Sequence, residues 1–287
     1  MNKIYWLASY PKSGNTWVRV LLTNFLHDGS EPADINRLRG GPIASDRDLF
    51  DRWAGVEASD LAFDEIADLR PHVYRQMALH IAHPLYIKVH DACTRNRDGD
   101  MIFPPDVSGA VVYLIRNPLD VAVSYSHHGG RTLEQIVDGL CAPDGYVYVN
   151  PRSLSDQLPQ RLLSWGRHVL SWVDDSGLPV TVIRYEDLLD RTAAEFERIL
   201  RAVGLDPDPV RLARAVAFSS FETMQAQEKQ AGFKERHLRA DAPFFRQGRS
   251  GSWRLELSAE LADKIILAHK DVMRRFGYLD ENDRPLF

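Results

Sequence analysis

The chain opens with a short apolar and aromatic run, Ile4 to Tyr10, the pattern of a buried strand. A turn-forming cluster follows, Pro11-Lys12-Ser13-Gly14-Asn15. From Thr16 the period changes: Trp17, Val18, Leu21, Leu22, Phe25 and Leu26 fall on one helical face. The start therefore reads strand, tight loop, helix. Leu85–Val89 and Ala110–Ile115 are two further strand candidates, and the second is almost wholly apolar, as in a strand covered on both faces. Arg116-Asn117-Pro118 ends it, and a helix is predicted from Pro118 or Leu119 because proline suits a first turn. Val180–Arg184 is a fourth strand. Thr192 and Glu195 predict a capping box for a helix to about Val203, closed by Gly204. Ser258 can cap a last helix ending near Phe276, before Gly277. Strands alternating with helices predict an α/β fold, a central, mainly parallel sheet flanked by helices. Two stretches break that rhythm, roughly 28–80 and 222–252. The first is polar with a weak helical pattern and the second is rich in charge, glycine and phenylalanine; in α/β folds, irregular segments beyond the strand C-termini build ligand sites.

Composition narrows the function classes. A length of 287 residues suits one domain over 1–287, and 44% hydrophobic with 26% charged residues is ordinary for a sizeable core. The net charge of -5 argues against a broad nucleic-acid surface, though an anionic ligand needs only a local basic pocket. Cys93 and Cys141 lie in no CxxC or metal-ligand spacing, which points to reduced thiols in a cytoplasmic protein. The N-terminus lacks the pattern of a signal peptide, and no apolar run approaches the ~20 residues of a membrane span. Neither nucleic acid nor membrane is expected as a partner.

The loop at 10–17 carries the first candidate chemistry. Backbone N–H groups at a helix start, with the positive end of the helix dipole, make an anion site. Gly14 lets the backbone approach a phosphate closely. Lys12 adds a mobile charge, and Ser13 and Thr16 add hydroxyl donors. The segment is not a Walker A loop, which requires GxxxxGK[ST]; here Lys12 precedes the glycine. A P-loop-type phosphotransferase is therefore the second reading, and a nucleotide-sensing scaffold the third.

Tyr10-Pro-Lys-Ser-Gly-Asn-Thr-Trp17 resembles the 5'-phosphosulfate loop of cytosolic-type sulfotransferases. Tyr113-Leu-Ile-Arg-Asn-Pro-Leu-Asp-Val-Ala-Val-Ser-Tyr-Ser-His127 resembles that family's 3'-phosphate motif. Phe245-Arg-Gln-Gly-Arg-Ser-Gly-Ser-Trp253 is similar to its C-terminal RKGxxGxWK signature. The three occur in the family's order and span most of the chain. The resemblance implies a P-loop-like nucleotide site and transfer of a sulfuryl group from 3'-phosphoadenosine-5'-phosphosulfate (PAPS) to a hydroxyl or phenol of a small molecule, with no metal. It assigns the general base to His90, in Tyr86-Ile-Lys-Val-His90, and a histidine can take an acceptor proton near neutral pH. By the same resemblance Lys12 stabilises the leaving phosphate, Lys88 supports the sulfuryl oxygens, and Ser124 binds the 3'-phosphate and restrains Lys12. Lys12, Ser13, Gly14, Asn15 and Thr16 line the 5' end. Arg116, Ser219, Arg246, Gln247 and Gly248 line the 3' end. Tyr185, Trp17 and Phe221 contact the adenine, with Trp17 equally placed to serve the core.

The match departs from the family at named places. Gln247 stands where the family has lysine, removing one positive charge beside the 3'-phosphate, with Arg249 as a candidate replacement. Asn15 replaces a common threonine, and Ser252 and Arg254 replace an aspartate and a lysine. The dimerisation element of animal members is degraded at Arg254, Ser258-Ala259 and Asp263, so the oligomeric state stays open. The acceptor pocket is expected from 28–80, 126–160 and 225–245. Within it His127 and His128, about 100° apart on a helix, are not expected to face one ligand. The Arg- and Ala-rich composition resembles that of bacterial enzymes that modify secondary metabolites.

Overall fold

The computed structural model describes residues 3–148, 154–236, 240 and 242–287. The elements in order are β1 (Ile4–Ser9), α1 (Asn15–His27), α2 (Arg47–Ala54), α3 (Phe63–His80), β2 (Leu85–Val89), β3 (Ser108–Ile115), α4 (Pro118–Gly129), α5 (Leu133–Cys141), β4 (Tyr146–Val147), β5 (Gln160–Arg161), α6 (Trp165–Val173), β6 (Val180–Arg184), α7 (Tyr185–Asp190), α8 (Thr192–Ala202), α9 (Pro209–Phe218), α10 (Phe221–Ala231), α11 (Trp253–Glu256) and α12 (Ala259–Arg275). The sheet has the order β2-β1-β3-β6, and β1 pairs with β2 in parallel, with Leu7 opposite Lys88. The fold is α/β, as the alternation predicts.

The chain divides into two compact units. The first holds the segment up to Tyr10, Gly40–Tyr113 and Pro143–Val182; the second holds Pro11–Arg39, Leu114–Ala142 and Ile183–Phe287. The core of the first unit is aromatic. Trp6 on β1 meets the rings of Tyr74 and Phe103 edge-on, each at 5.0 Å, and Phe103 lies 4.9 Å from Trp172. The Trp6 indole N–H is satisfied by Ser108 Oγ at 2.7 Å, so this large ring is buried without an orphaned donor. In the second unit α1 packs on α8 and α9, where Phe25 meets Phe196 edge-on, and α4 packs on α5, α11 and α12.

Three expectations need correction. The stretch 28–80 contains α2 and the 18-residue α3. The helical pattern of α3 is hidden because Arg70 lies on its buried face and Pro71 sits inside it. The stretch 222–252 begins with α10, capped by Ser220 on Thr223 N–H. Thr192 does not cap α8. Its hydroxyl donates 2.8 Å back to Leu188 O in α7, because α7 ends one residue before α8 and leaves no extended cap position.

Candidate active site

In the second unit the turn before α1 is wound tightly by two left-handed residues, Lys12 at φ 69 and Gly14 at φ 98. A non-glycine residue held there costs roughly 1–3 kcal/mol, strain typical of functional turns. A methyl group on Gly14 would stand 2.7 Å from Tyr185 Cδ2, so glycine is required by space as well as by φ. Helix α1 has no side-chain cap and no acidic residue in its first turn, which leaves its positive end for another anion. Ser13 is buried, and its Oγ has no partner among the described residues. A buried hydroxyl left unmatched beside an uncapped helix start fits an oxyanion ligand. Thr16 Oγ1 lies 3.5 Å from Glu235 Oε2, while Arg19 pairs with the other oxygen of Glu235 at 2.5 Å. Asn15 is buried at the first position of α1.

Arg116 directly follows β3 and ties two loops together. Its Nη1 donates to Lys12 O at 3.0 Å and its Nη2 to Arg249 O at 3.1 Å, while the guanidinium lies 4.3 Å over the Tyr185 ring. Its buried Nε has no partner among the described residues. Burial raises the Tyr185 phenol pKa, and the Arg116 charge works against that rise. Trp17 presents its edge to Tyr185 at 6.1 Å, donates its indole N–H to Ser219 O at 2.9 Å, and packs with Phe221 against Val20, Met224 and Phe245. Trp17 is therefore part of a core as well as a neighbour of the Tyr185 ring. Phe221 covers the left-handed Gly248, where a methyl would be 2.4 Å from the ring. Gln247 accepts from Arg249 Nε at 3.2 Å, so the side chain considered as a replacement for the missing lysine is tied to Gln247 itself.

Ser219 has a different geometry from the one expected. Its hydroxyl donates to Ala215 O at 2.7 Å and accepts from Asn24 at 3.0 Å. With its one O–H already donated and 1% exposure, this serine acts as a helix-end tie and has no donor left for a phosphate.

A cleft in this unit is lined by Lys12, Ser124, His127, His128, Phe244 and Arg246. The Lys12 ammonium lies 4.3 Å over the Phe244 ring, a cation–π contact. His127 and His128 both line the cleft, against the expectation from their divergence on α4. Each does so through a different partner: His127 reaches Glu256 at 2.6 Å, and His128 meets the Phe244 ring edge-on at 5.7 Å. Sequence reasoning missed the carboxylates that fix the cleft's walls. Glu228 accepts from Phe244 N at 2.7 Å and Phe245 N at 3.0 Å. Asp120, fully buried in the first turn of α4, accepts from Gly251 N, Ser252 Oγ and Trp253 N. Asp120 lies inside the second motif, and its first-turn position was the signal available.

His90 and Lys88 belong to the first unit. His90 Nδ1 lies 2.9 Å from Ser9 O and 3.2 Å from Ser9 Oγ. A carbonyl only accepts, so Nδ1 carries a proton, and in the neutral form of the ring the lone pair is then on Nε2, as a base requires. The backbone at His90 is also fixed. His168 Nε2 donates to His90 O at 3.0 Å, and Tyr113 donates its O–H to His168 Nδ1 at 2.8 Å. Burial drives the His168 pKa down to about 4, so this ring is neutral. Beside it, Trp172 donates to Asp91 O at 2.9 Å, and Arg70 grips the Asp91 carboxylate with two bonds of 2.6 and 3.1 Å. The half-buried Lys88 sits on β2 opposite Leu7.

The sulfotransferase domain family matches residues 3–277. Sulfotransferase 2A6 of Rattus norvegicus is 26% identical over 267 residues, covering 91% of this chain and 82% of the relative. Cytosolic sulfotransferase 12 of Arabidopsis thaliana is 24% identical, covering 90% of this chain and 74% of the relative. Among solved structures, mouse sulfotransferase SULT7A1 complexed with PAP superposes with a TM-score of 0.57 at 20% identity, over 95% of this chain and 85% of that one. Retinol dehydratase in complex with androsterone and inactive cofactor PAP gives 0.60 at 20% identity, over 97% and 83%. A match across nearly the whole length, on a chain whose turn before α1 ends in an uncapped helix start, decides the assignment: this protein belongs to the sulfotransferase domain family.

Proposed function

We propose that the protein is a PAPS-dependent sulfotransferase acting on a hydroxyl or phenol of a small-molecule acceptor. One observation carries the reading. Arg116 binds the carbonyls of Lys12 and Arg249, so a single guanidinium joins the loops of the first and third motifs, with an aromatic ring beneath it. This arrangement suits a ligand with an anion at each end and a flat base between them. PAPS supplies the sulfuryl group: the acceptor oxygen bonds to sulfur as the bond from sulfur to the 5'-phosphate oxygen breaks.

The protein's residues supply the rest. His90 Nε2 takes the acceptor proton. Lys12, Ser13 and the N–H groups of the α1 start hold the charge that develops on the 5'-phosphate, worth about 3–4 kcal/mol per well-placed donor in comparable sites. Arg116, Arg246 and Ser124 hold the 3'-phosphate, and Tyr185, Trp17 and Phe221 hold the adenine. Lys88 supports the sulfuryl oxygens by family resemblance. The family match over 3–277 supports reading the chain as one sulfotransferase domain. Among the described residues no helix is long and apolar enough to cross a membrane, and both cysteines are free thiols. These features suit the cytoplasm, where we place the enzyme. A phosphotransferase is not favoured, since the family is that of sulfotransferases and the loop lacks the Walker pattern.

The test is transfer to a panel of phenols and alcohols from sulfur-labelled PAPS, compared with transfer from γ-labelled ATP plus magnesium. Label is expected on acceptor from PAPS only, with a chelator present, and to fall about 100-fold or more in His90→Gln. Transfer only from ATP would overturn the reading.

A further inference from the structure

Two residues that line the cleft, His127 and Arg246, share a carboxylate that the proposed chemistry does not use. Glu256, at the end of α11, is partly buried, with 28% of its side chain exposed. Its two oxygens are divided between two side chains: Oε1 lies 3.0 Å from Arg246 Nη1, and Oε2 lies 2.6 Å from His127 Nε2. Burial opposes its charge, but His127 and Arg246 outweigh burial and hold the Glu256 carboxyl below the usual carboxylate range. Arg246 and His127 both face the cleft that contains Lys12 and Ser124. Arg246 therefore already has an anion partner from within the chain.

We infer that Glu256 is an internal competitor for the 3'-phosphate subsite, setting its affinity through Arg246. The inference rests on the PAPS reading above and on Arg246 serving the 3'-phosphate. When a dianionic phosphate reaches Arg246, two anions contend for one guanidinium, and like charges at this distance repel. His127 is the group that makes the exchange workable. It holds the second carboxylate oxygen, so Glu256 can release Arg246 without losing every partner. Gln247 strengthens the effect, because the position next to Arg246 offers no second cation to outbid the carboxylate. The result is a 3'-phosphate site tuned for release as well as capture, in a reaction whose nucleotide product keeps that phosphate.

The test is calorimetric binding of 3',5'-diphosphoadenosine and of adenosine 5'-phosphate, which lacks the 3'-phosphate. The proteins are the wild type, Glu256→Gln, and Glu256→Gln in an Arg246→Ala background. Glu256→Gln is expected to bind the diphosphate about fivefold more tightly, as for loss of one partly exposed ion pair. Binding of the monophosphate should not change, and the gain should vanish in the Arg246→Ala background. Glu256→Ala carries the same expectation, and a thermal melt of each variant identifies any that misfolds. Unchanged or weaker diphosphate binding by folded Glu256 variants would overturn the inference, as would an equal gain for the monophosphate. A wild type that fails to prefer the diphosphate overturns the cofactor reading and this inference together. A wild type that prefers it, with variants that gain nothing, overturns the inference alone.

Discussion

Lys12 combines backbone strain with a restrained charge. Its φ of 69 is left-handed, and its ammonium lies over the Phe244 ring. A side chain held this way is positioned for use at one point in space, and the ring contact itself is worth about 0.5–2 kcal/mol. A group whose role is to meet charge that develops during reaction contributes more to turnover than to ground-state binding. Lys12→Ala is therefore expected to lower kcat by about 100- to 1000-fold while weakening 3',5'-diphosphoadenosine less than tenfold. Equal losses in steady-state kinetics and calorimetry would show that Lys12 only binds. The residues at this scale were legible in the sequence because the motif fixes their spacing. The partners they make were not. Nothing in the string showed that the Ser219 hydroxyl is already donated to Ala215 O, or that Glu256 would stand against Arg246.

At the scale of elements, α3 supports the turn that follows β2. Arg70 and Asp91 are both buried and joined by two hydrogen bonds, and Tyr74 adds its hydroxyl to Arg70 at 3.0 Å. Burial works against the Arg70 charge, and Asp91 with Tyr74 outweighs it. Removing one partner leaves an uncompensated charge in the core, at a cost of about 3–5 kcal/mol. Arg70→Ala should lower stability by that amount in urea unfolding. The double replacement Arg70→Met, Asp91→Leu should recover most of the loss. A cost below about 1 kcal/mol for the single variant would show that water already reaches the pair. This buried pair is also why α3 reads only weakly in the sequence: an arginine and an internal proline interrupt the apolar stripe of Ile66, Val73, Tyr74 and Met77.

At the scale of the whole molecule, acid sensitivity follows from two buried histidines, one in each compact unit. Burial pushes His168 and His269 each down to about 4 from 6.5, even though each donates to a backbone carbonyl, His90 O and Leu140 O respectively. Each folded pKa is depressed, so between about 6.5 and 4 the unfolded chain binds protons that the folded chain refuses. Stability is then full above 6.5 and falls as pH drops to about 4, by on the order of 3 kcal/mol per histidine at most. Urea midpoints measured from pH 7.5 to 4.5 should decline steadily, and His168→Gln with His269→Gln should flatten the decline. A flat wild-type profile would contradict the burial of these rings.

The α/β class, the positions of β1, β2, β3 and β6, and the loops that carry charge can all be read from the order of residues alone. Those features depend on local periodicity, on turn residues and on motif spacing, all of which act over a few neighbouring positions. Which polar groups are already satisfied emerges only once the chain is folded. Arg116 spends two donors on the carbonyls of Lys12 and Arg249, His90 is held by Ser9, and Glu256 holds Arg246 and His127. Their partners lie from 10 to 133 residues away along the chain, where no local pattern reaches. A hydrogen bond or ion pair depends on distance in space and on what else competes for the same atom, and folding alone sets both.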